Sequence, residues 1–180
     1  MSNAHAVHSF NSMQTDIVVD LGCCSYQRGA GVEDSILTLV KRFSPQVLFG
    51  FDPHPALTEG VGKVHGTTVL TTRRAAWTRT GKIGLELQGN CTHVDDRGEE
   101  WVKCFDLASW VRALPDVKIV LKVDVEGAEY VLLPYLIQND LIDRFTRILV
   151  EWHTGQYANG YESDRKSILA KISCPVEDWQ

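Results

Sequence analysis

Two short apolar runs that end in acidic side chains constrain the fold more than any other feature of the sequence. Leu121-Lys122-Val123 leads into Asp124-Val125-Glu126-Gly127-Ala128-Glu129, and Ile148-Leu149-Val150 leads into Glu151-Trp152-His153. Near-continuous apolar strands belong to parallel sheets covered on both faces, and ligands of such sheets sit just beyond the carboxyl ends of the strands. The expected active site is therefore Asp124, Glu126, Glu151 and His153.

The same arrangement recurs upstream, where Ile17-Val18-Val19 ends at Asp20-Leu21-Gly22 and Val47-Leu48-Phe49-Gly50-Phe51 ends at Asp52. Four acidic strand ends then share one edge. Between the runs lie helical patterns, Val32 to Phe43 with Ile36, Leu37, Leu39 and Val40 on one face, and Gly127 to Ile137 with Ala128, Val131, Leu132 and Tyr135. Alternating strand and helix predict an α/β domain with a mostly parallel sheet.

At 180 residues and 44% hydrophobic content, the chain suits one domain with a full core, expected over residues 15–180 with residues 1–14 outside it. His5 and His8 belong to that loose terminus. The net charge of −5 and the absence of a basic cluster longer than Arg73-Arg74 argue against a nucleic-acid partner. Without a long apolar run or a secretory leader, the expectation is a soluble, cytoplasmic protein with no membrane partner. The five cysteines are odd in number and irregularly spaced, as free thiols would be.

The middle of the chain carries weaker signals. Pro53-His54-Pro55 ends the second run in a turn into a short helix or loop. Thr67 to Ala76 predicts a strand, with Lys82 to Leu87 as its hairpin partner after the turn Thr80-Gly81. Gln88 to Glu100, with His93 and Asp95, reads as a polar loop. Asp106 is the expected cap of a helix that places Leu107, Val111 and Leu114 inward and ends at Pro115. A helix from about Ser163 to Ile172 and a short end with Pro175 predict an incomplete final antiparallel pair of strands.

Gly22 opens a glycine-bearing strand-to-helix turn, where backbone approaches a ligand closely, and Asp52 at the next strand end is placed to accept the hydroxyls of a ribose. A dinucleotide fingerprint requires Gly-x-Gly-x-x-Gly and an acidic residue about 20 positions on; neither is present. A carboxylate two positions before the first glycine instead suits a ligand with a cationic amino-acid end, such as S-adenosylmethionine.

Over roughly Asp16 to His153 the order of motifs resembles the FkbM-type S-adenosylmethionine-dependent methyltransferases. Leu121 to Glu129 is similar to the family's Lys-Ile-Asp-Val-Glu-Gly-Ala-Glu signature, Ile148 to His153 to its Val-Glu-x-His strand, and Phe51 to Pro55 to its Phe-Glu-Pro-x-Pro segment. Tyr26 stands where the family's first loop carries glycine. The resemblance implies a Rossmann-like class I methyltransferase sandwich of three layers with a truncated C-terminal strand pair. It also implies that Asp20, Gly22 and the adjoining Cys23 meet the cofactor's amino-acid end, that Asp52 meets its ribose, and that Ala76 lies near its adenine.

Methyl transfer to a hydroxyl requires an aligned acceptor, exclusion of water and removal of a proton. Asp124, Glu126 and His153 are the expected catalytic residues, with His153 or Glu151 as base. Glu126 and Glu129 also suit a helix start, where acids offset the dipole, and for Glu129 that role and a functional one stand side by side. Asp124, Glu151 and His153 also offer oxygen and nitrogen ligands to one divalent ion such as Mg2+. The expected function is O-methylation of a small molecule or sugar. An oxidoreductase using NAD(P) on a similar sheet, and a non-catalytic binding module, are the alternative readings.

Overall fold

A computed structural model of the chain describes residues 15–23, 34–88, 91–94, 100–153 and 161–179; side chains are described throughout these except at 87, 88 and 91–93. Residues 24–31 of the expected glycine-bearing turn, the segment 1–14, and Asp95 lie outside the described residues.

A seven-stranded sheet forms the frame. Its strands are β1 (Ile17–Leu21), β2 (Val47–Phe51), β3 (Gly60–Val64), β4 (Thr67–Thr72), β9 (Ile119–Val123), β10 (Phe145–Val150) and β11 (Val176–Asp178). The order across the sheet is β11-β10-β9-β1-β2-β4-β3. All neighbours are parallel except the hairpin β3–β4. β1, β9 and β10 are buried along most or all of their length, as the apolar runs predict.

Alternation sorts the core into two faces. Val18, Leu48, Val69, Val120 and Leu149 pack against Leu39, Val40 and Phe43 of α1 (Ser35–Phe43). Val19, Leu21, Leu121, Val123 and Ile148 pack on the other face against α2 (Leu107–Ala113) and α3 (Glu129–Gln138). α4 (Tyr161–Leu169) packs on α3. Among the described residues this gives an α/β fold with four helices and a mostly parallel sheet, compatible with a Rossmann-like architecture. No helix there is long and apolar enough to cross a membrane.

The cap expected at Asp106 is in place, and Asp34 caps α1 in the same way. Asp34 accepts from Ile36 N at 2.9 Å, and Asp106 accepts from Ser109 N at 2.6 Å. Each satisfies a donor that the first helical turn leaves without a partner.

The middle of the chain departs from its sequence reading. β4 does not continue to Ala76 and does not pair with Lys82 to Leu87. Exposed Arg73 and Arg74 turn the chain out of the first sheet, and Ala75–Trp77 (β5) enters a second, four-stranded sheet of order β5-β8-β6-β7. There β6 (Gly81–Gln88) runs antiparallel to β8 (Glu100–Asp106) and to β7 (Cys91–Val94), so strands stand at both ends of the expected polar loop. Pro53 to Pro55 leads into a turn and loop, as expected. In place of an antiparallel pair, the last strand β11 lies parallel to β10. The inward face of α3 consists of Tyr130, Leu132, Leu133 and Leu136, with Val131 and Tyr135 only half-buried, because the helix packs on α2 and α4 as well as on the sheet.

Candidate active site at the strand-order reversal

From β1 the chain continues outward to β2 on one side of the sheet, and from β9 outward to β10 on the other. The order therefore reverses between β1 and β9, and the crevice of a parallel sheet opens beyond the carboxyl ends at such a point. Backbone bonds carry the ladder past the strands. Asp124 N donates to Leu21 O at 3.1 Å, Glu151 N to Val123 O at 2.9 Å, and Gly22 N to Phe51 O at 2.8 Å. The residues following β1, β9 and β10 are thereby held in fixed steps along one edge.

Gly22 is obligatory at this crossing. Its φ is +83°, and a Cβ there would lie 1.7 Å from the backbone oxygen of Asp124. Only glycine combines that conformation with so close an approach of two strand ends.

Beneath the edge lies Lys122, which has no exposed surface. It stands opposite Asp20 in the register of β9 and β1, so both side chains point to the α1 face. Its Nζ donates to Gly22 O at 2.7 Å, lies 3.1 Å from Asp20 Oδ1 and 2.9 Å from Asp124 Oδ2, and sits 5.7 Å from the centre of the Trp179 ring. An ammonium has three donors, and here three oxygens surround it. Burial works against its charge, but Asp20 and Asp124 outweigh burial and hold its pKa above the ordinary lysine value. Burial lifts the Asp20 carboxyl, while Lys122 and the Ser35 hydroxyl, 2.8 Å away, pull it back. Geometry and the lysine agree on an ionised pair.

A cavity of about 230 Å³ occupies the crevice. Gly22, Asp52, Asp124, Glu126, Glu151 and His153 line its polar side, and Phe51, Ala75, Ala76, Leu85 and Val94 supply an apolar wall. Asp52 is buried, with Oδ1 accepting from His54 N at 2.8 Å. Leu85 and Val94 come from the second sheet, from which sequence reasoning brought only Ala76 to the site; their alternation with polar neighbours was the available signal.

His153 gathers the carboxylates. Its Nδ1 lies 2.5 Å from Oε1 of Glu129, which has no exposed surface. Its Nε2 faces Glu151 at 3.6 Å, Glu126 at 3.7 Å and Asp124 at 3.8 Å. Burial disfavours the charged ring, but Glu129 first and then Glu126 and Asp124 overcome it and lift its pKa to about 9. Burial and the nearby Asp124 raise Glu151 in turn, against the pull of His153 and Lys122. Glu126 reaches the mouth through a left-handed backbone at φ +53°.

Of the residues expected from sequence, Gly22, Asp52, Ala76, Asp124, Glu126, Glu151 and His153 meet in this one cavity. Two do not. Asp20 is sealed beneath it as the counterion of Lys122, and Cys23 is buried with its sulfur against Gly50. Lys122 is a site residue that sequence reasoning missed, and Glu129 is one it left open between a helix start and a functional role. A lysine inside a buried run requires a paired carboxylate, which was the legible signal for the first; nothing in the sequence separated Glu129 from an ordinary helix start.

Fold and site together define an α/β protein with a charged crevice where its strand order reverses. No protein-family model, curated protein or solved structure matches the chain.

Proposed function

We propose that the chain is an FkbM-type class I methyltransferase that uses S-adenosylmethionine to methylate a hydroxyl of a small molecule or sugar. One observation carries the reading: a single cavity joins Gly22, Asp52 and Asp124, at three neighbouring strand ends, to the apolar wall of Ala75, Ala76, Leu85 and Val94. A ligand with a cationic amino-acid end, a ribose and a flat base needs these surroundings in this order. The missing glycine triplet weighs against a dinucleotide.

S-adenosylmethionine supplies a methyl group on a cationic sulfur when bound. The protein's share is alignment, charge and a proton acceptor. Asp52 takes the ribose hydroxyls, and the backbone at Gly22 lets the amino-acid end approach. Asp124, tethered by Lys122, presents fixed negative charge toward the methyl end. When the cofactor is bound, an acceptor hydroxyl would take the methyl group and pass its own proton to Glu126 rather than to the expected base His153, whose pKa is raised to about 9. That carboxylate lines the cavity, and its one described polar contact is His153 Nε2 at 3.7 Å.

Equilibrium binding of S-adenosylhomocysteine to variants tests these roles. Asp52→Ala is expected to weaken binding by at least about tenfold, in keeping with loss of hydrogen bonds to a polar ligand. Glu126→Gln is expected to bind as the wild type does while losing turnover. Equal affinity in wild type and Asp52→Ala would refute the ribose assignment.

A further inference from the structure

The mouth of the cavity holds a donor set that methyl transfer by itself does not require. One atom each from Asp124, Glu151 and His153 lie within 4.8 Å of one another. Around His153 Nε2, the oxygens of Glu151, Glu126 and Asp124 stand at 3.6, 3.7 and 3.8 Å. All three separations exceed a hydrogen bond. They match instead the spacing of two ligands on a shared ion, since metal–ligand bonds of about 2.0–2.2 Å place neighbouring donors roughly 3–4 Å apart.

Residues outside the set hold it in position. Lys122 binds Asp124 through Oδ2 at 2.9 Å and leaves Oδ1 as the oxygen facing the ring. The backbone bond from Glu151 N to Val123 O fixes the start of the segment carrying both Glu151 and His153. The independent observation is Glu129 on α3, fully buried, with Oε1 on His153 Nδ1 at 2.5 Å and Oε2 buried without a hydrogen-bond partner. A carboxylate on one imidazole nitrogen makes that nitrogen the donor and aims the lone pair of the other at a metal. Here the other nitrogen is the one the three oxygens surround.

We infer that Asp124 Oδ1, Glu151 Oε1 and His153 Nε2 bind one hard divalent cation, Mn2+ or Mg2+, with Glu129 positioning the imidazole. Two carboxylates against one imidazole favour a hard ion. Glu126 lies beside the ion without belonging to the ligand set, and so stays available for a proton. The cation site stands independently of methyl transfer.

The full-length chain, stripped with a chelator and free of cofactor, is titrated with Mn2+ while the paramagnetic resonance signal of the free ion is followed. One Mn2+ per chain, displaced by Mg2+, is expected. Glu151→Gln at the half-exposed rim is expected to weaken binding at least tenfold, and Glu129→Gln, which touches no ion, to weaken it about tenfold through the ring. His65→Asn on the distant β3–β4 turn leaves binding unchanged. Failure of the folded wild type to retain Mn2+, or undiminished affinity in both Glu151→Gln and His153→Gln, overturns the inference. A folded chain that binds S-adenosylhomocysteine but fails to bind Mn2+ would refute the cation site alone, and one that binds Mn2+ but fails to bind S-adenosylhomocysteine would refute methyl transfer alone.

Discussion

Lys122 joins the sheet to the site. It has no exposed surface, and its charge is tolerated because Gly22 O accepts from it and the Asp20 and Asp124 carboxylates stand at 3.1 and 2.9 Å. Breaking a buried pair leaves an uncompensated charge, at a cost of about 3–5 kcal/mol. Lys122→Met should therefore destabilise the protein by that amount in urea unfolding, and adding Asp20→Asn should restore part of it. Additive losses in the double variant would show that the two groups do not share a charge pair. His153 yields a prediction about pH. In metal-free protein its pKa is raised from 6.5 to about 9, so its contribution is complete below about pH 6.5 and is lost as pH rises through 9. A 22% exposed side chain keeps most of such an effect, giving a fall in stability of about 2–3 kcal/mol over that window. Glu129→Gln should flatten the slope, and an unchanged slope would mean that another group titrates. At this scale the sequence placed Asp124, Glu151 and His153 together from their positions after two strands. It left Glu129 undecided, because a glutamate at a helix start looks the same whether it faces water or an imidazole.

Among the elements, β1, β2, β9 and β10 were legible because strands buried on both faces read as unbroken apolar runs. The second sheet was not. Glu100–Asp106 carries exposed Glu100 and Trp101 before buried Cys104 and Phe105, so no apolar run announces it, and its partners come from non-adjacent segments. The bend at Arg73-Arg74, which moves the chain between sheets, has the composition of any polar turn. Helix α2 was legible through its cap, and the structure gives that cap a second task. Asp106 Oδ1 accepts from Ser109 N at 2.6 Å, while Oδ2 accepts from the Tyr135 hydroxyl of α3 at 2.6 Å. One carboxylate thus starts one helix and ties it to the next. Asp106→Ala should cost about 2 kcal/mol, roughly twice a cap alone, and Tyr135→Phe about half as much. Equal losses would mean that the cap contributes nothing beyond the tie.

For the whole molecule, the order β11-β10-β9-β1-β2-β4-β3 decides where chemistry can occur. Because the chain winds outward in both directions from β1 and β9, their ends are the place where no crossover covers the edge, and Gly22, Asp52 and Asp124 meet there. The second sheet closes one side with Leu85 and Val94. The central claim is that this crevice receives S-adenosylmethionine, and calorimetric titration of the purified chain with S-adenosylhomocysteine, beside an identical titration with NAD, tests it most directly. The account predicts binding in the micromolar range, about −8 kcal/mol, for S-adenosylhomocysteine and none for NAD. A folded protein that binds NAD, or that binds neither, would contradict it.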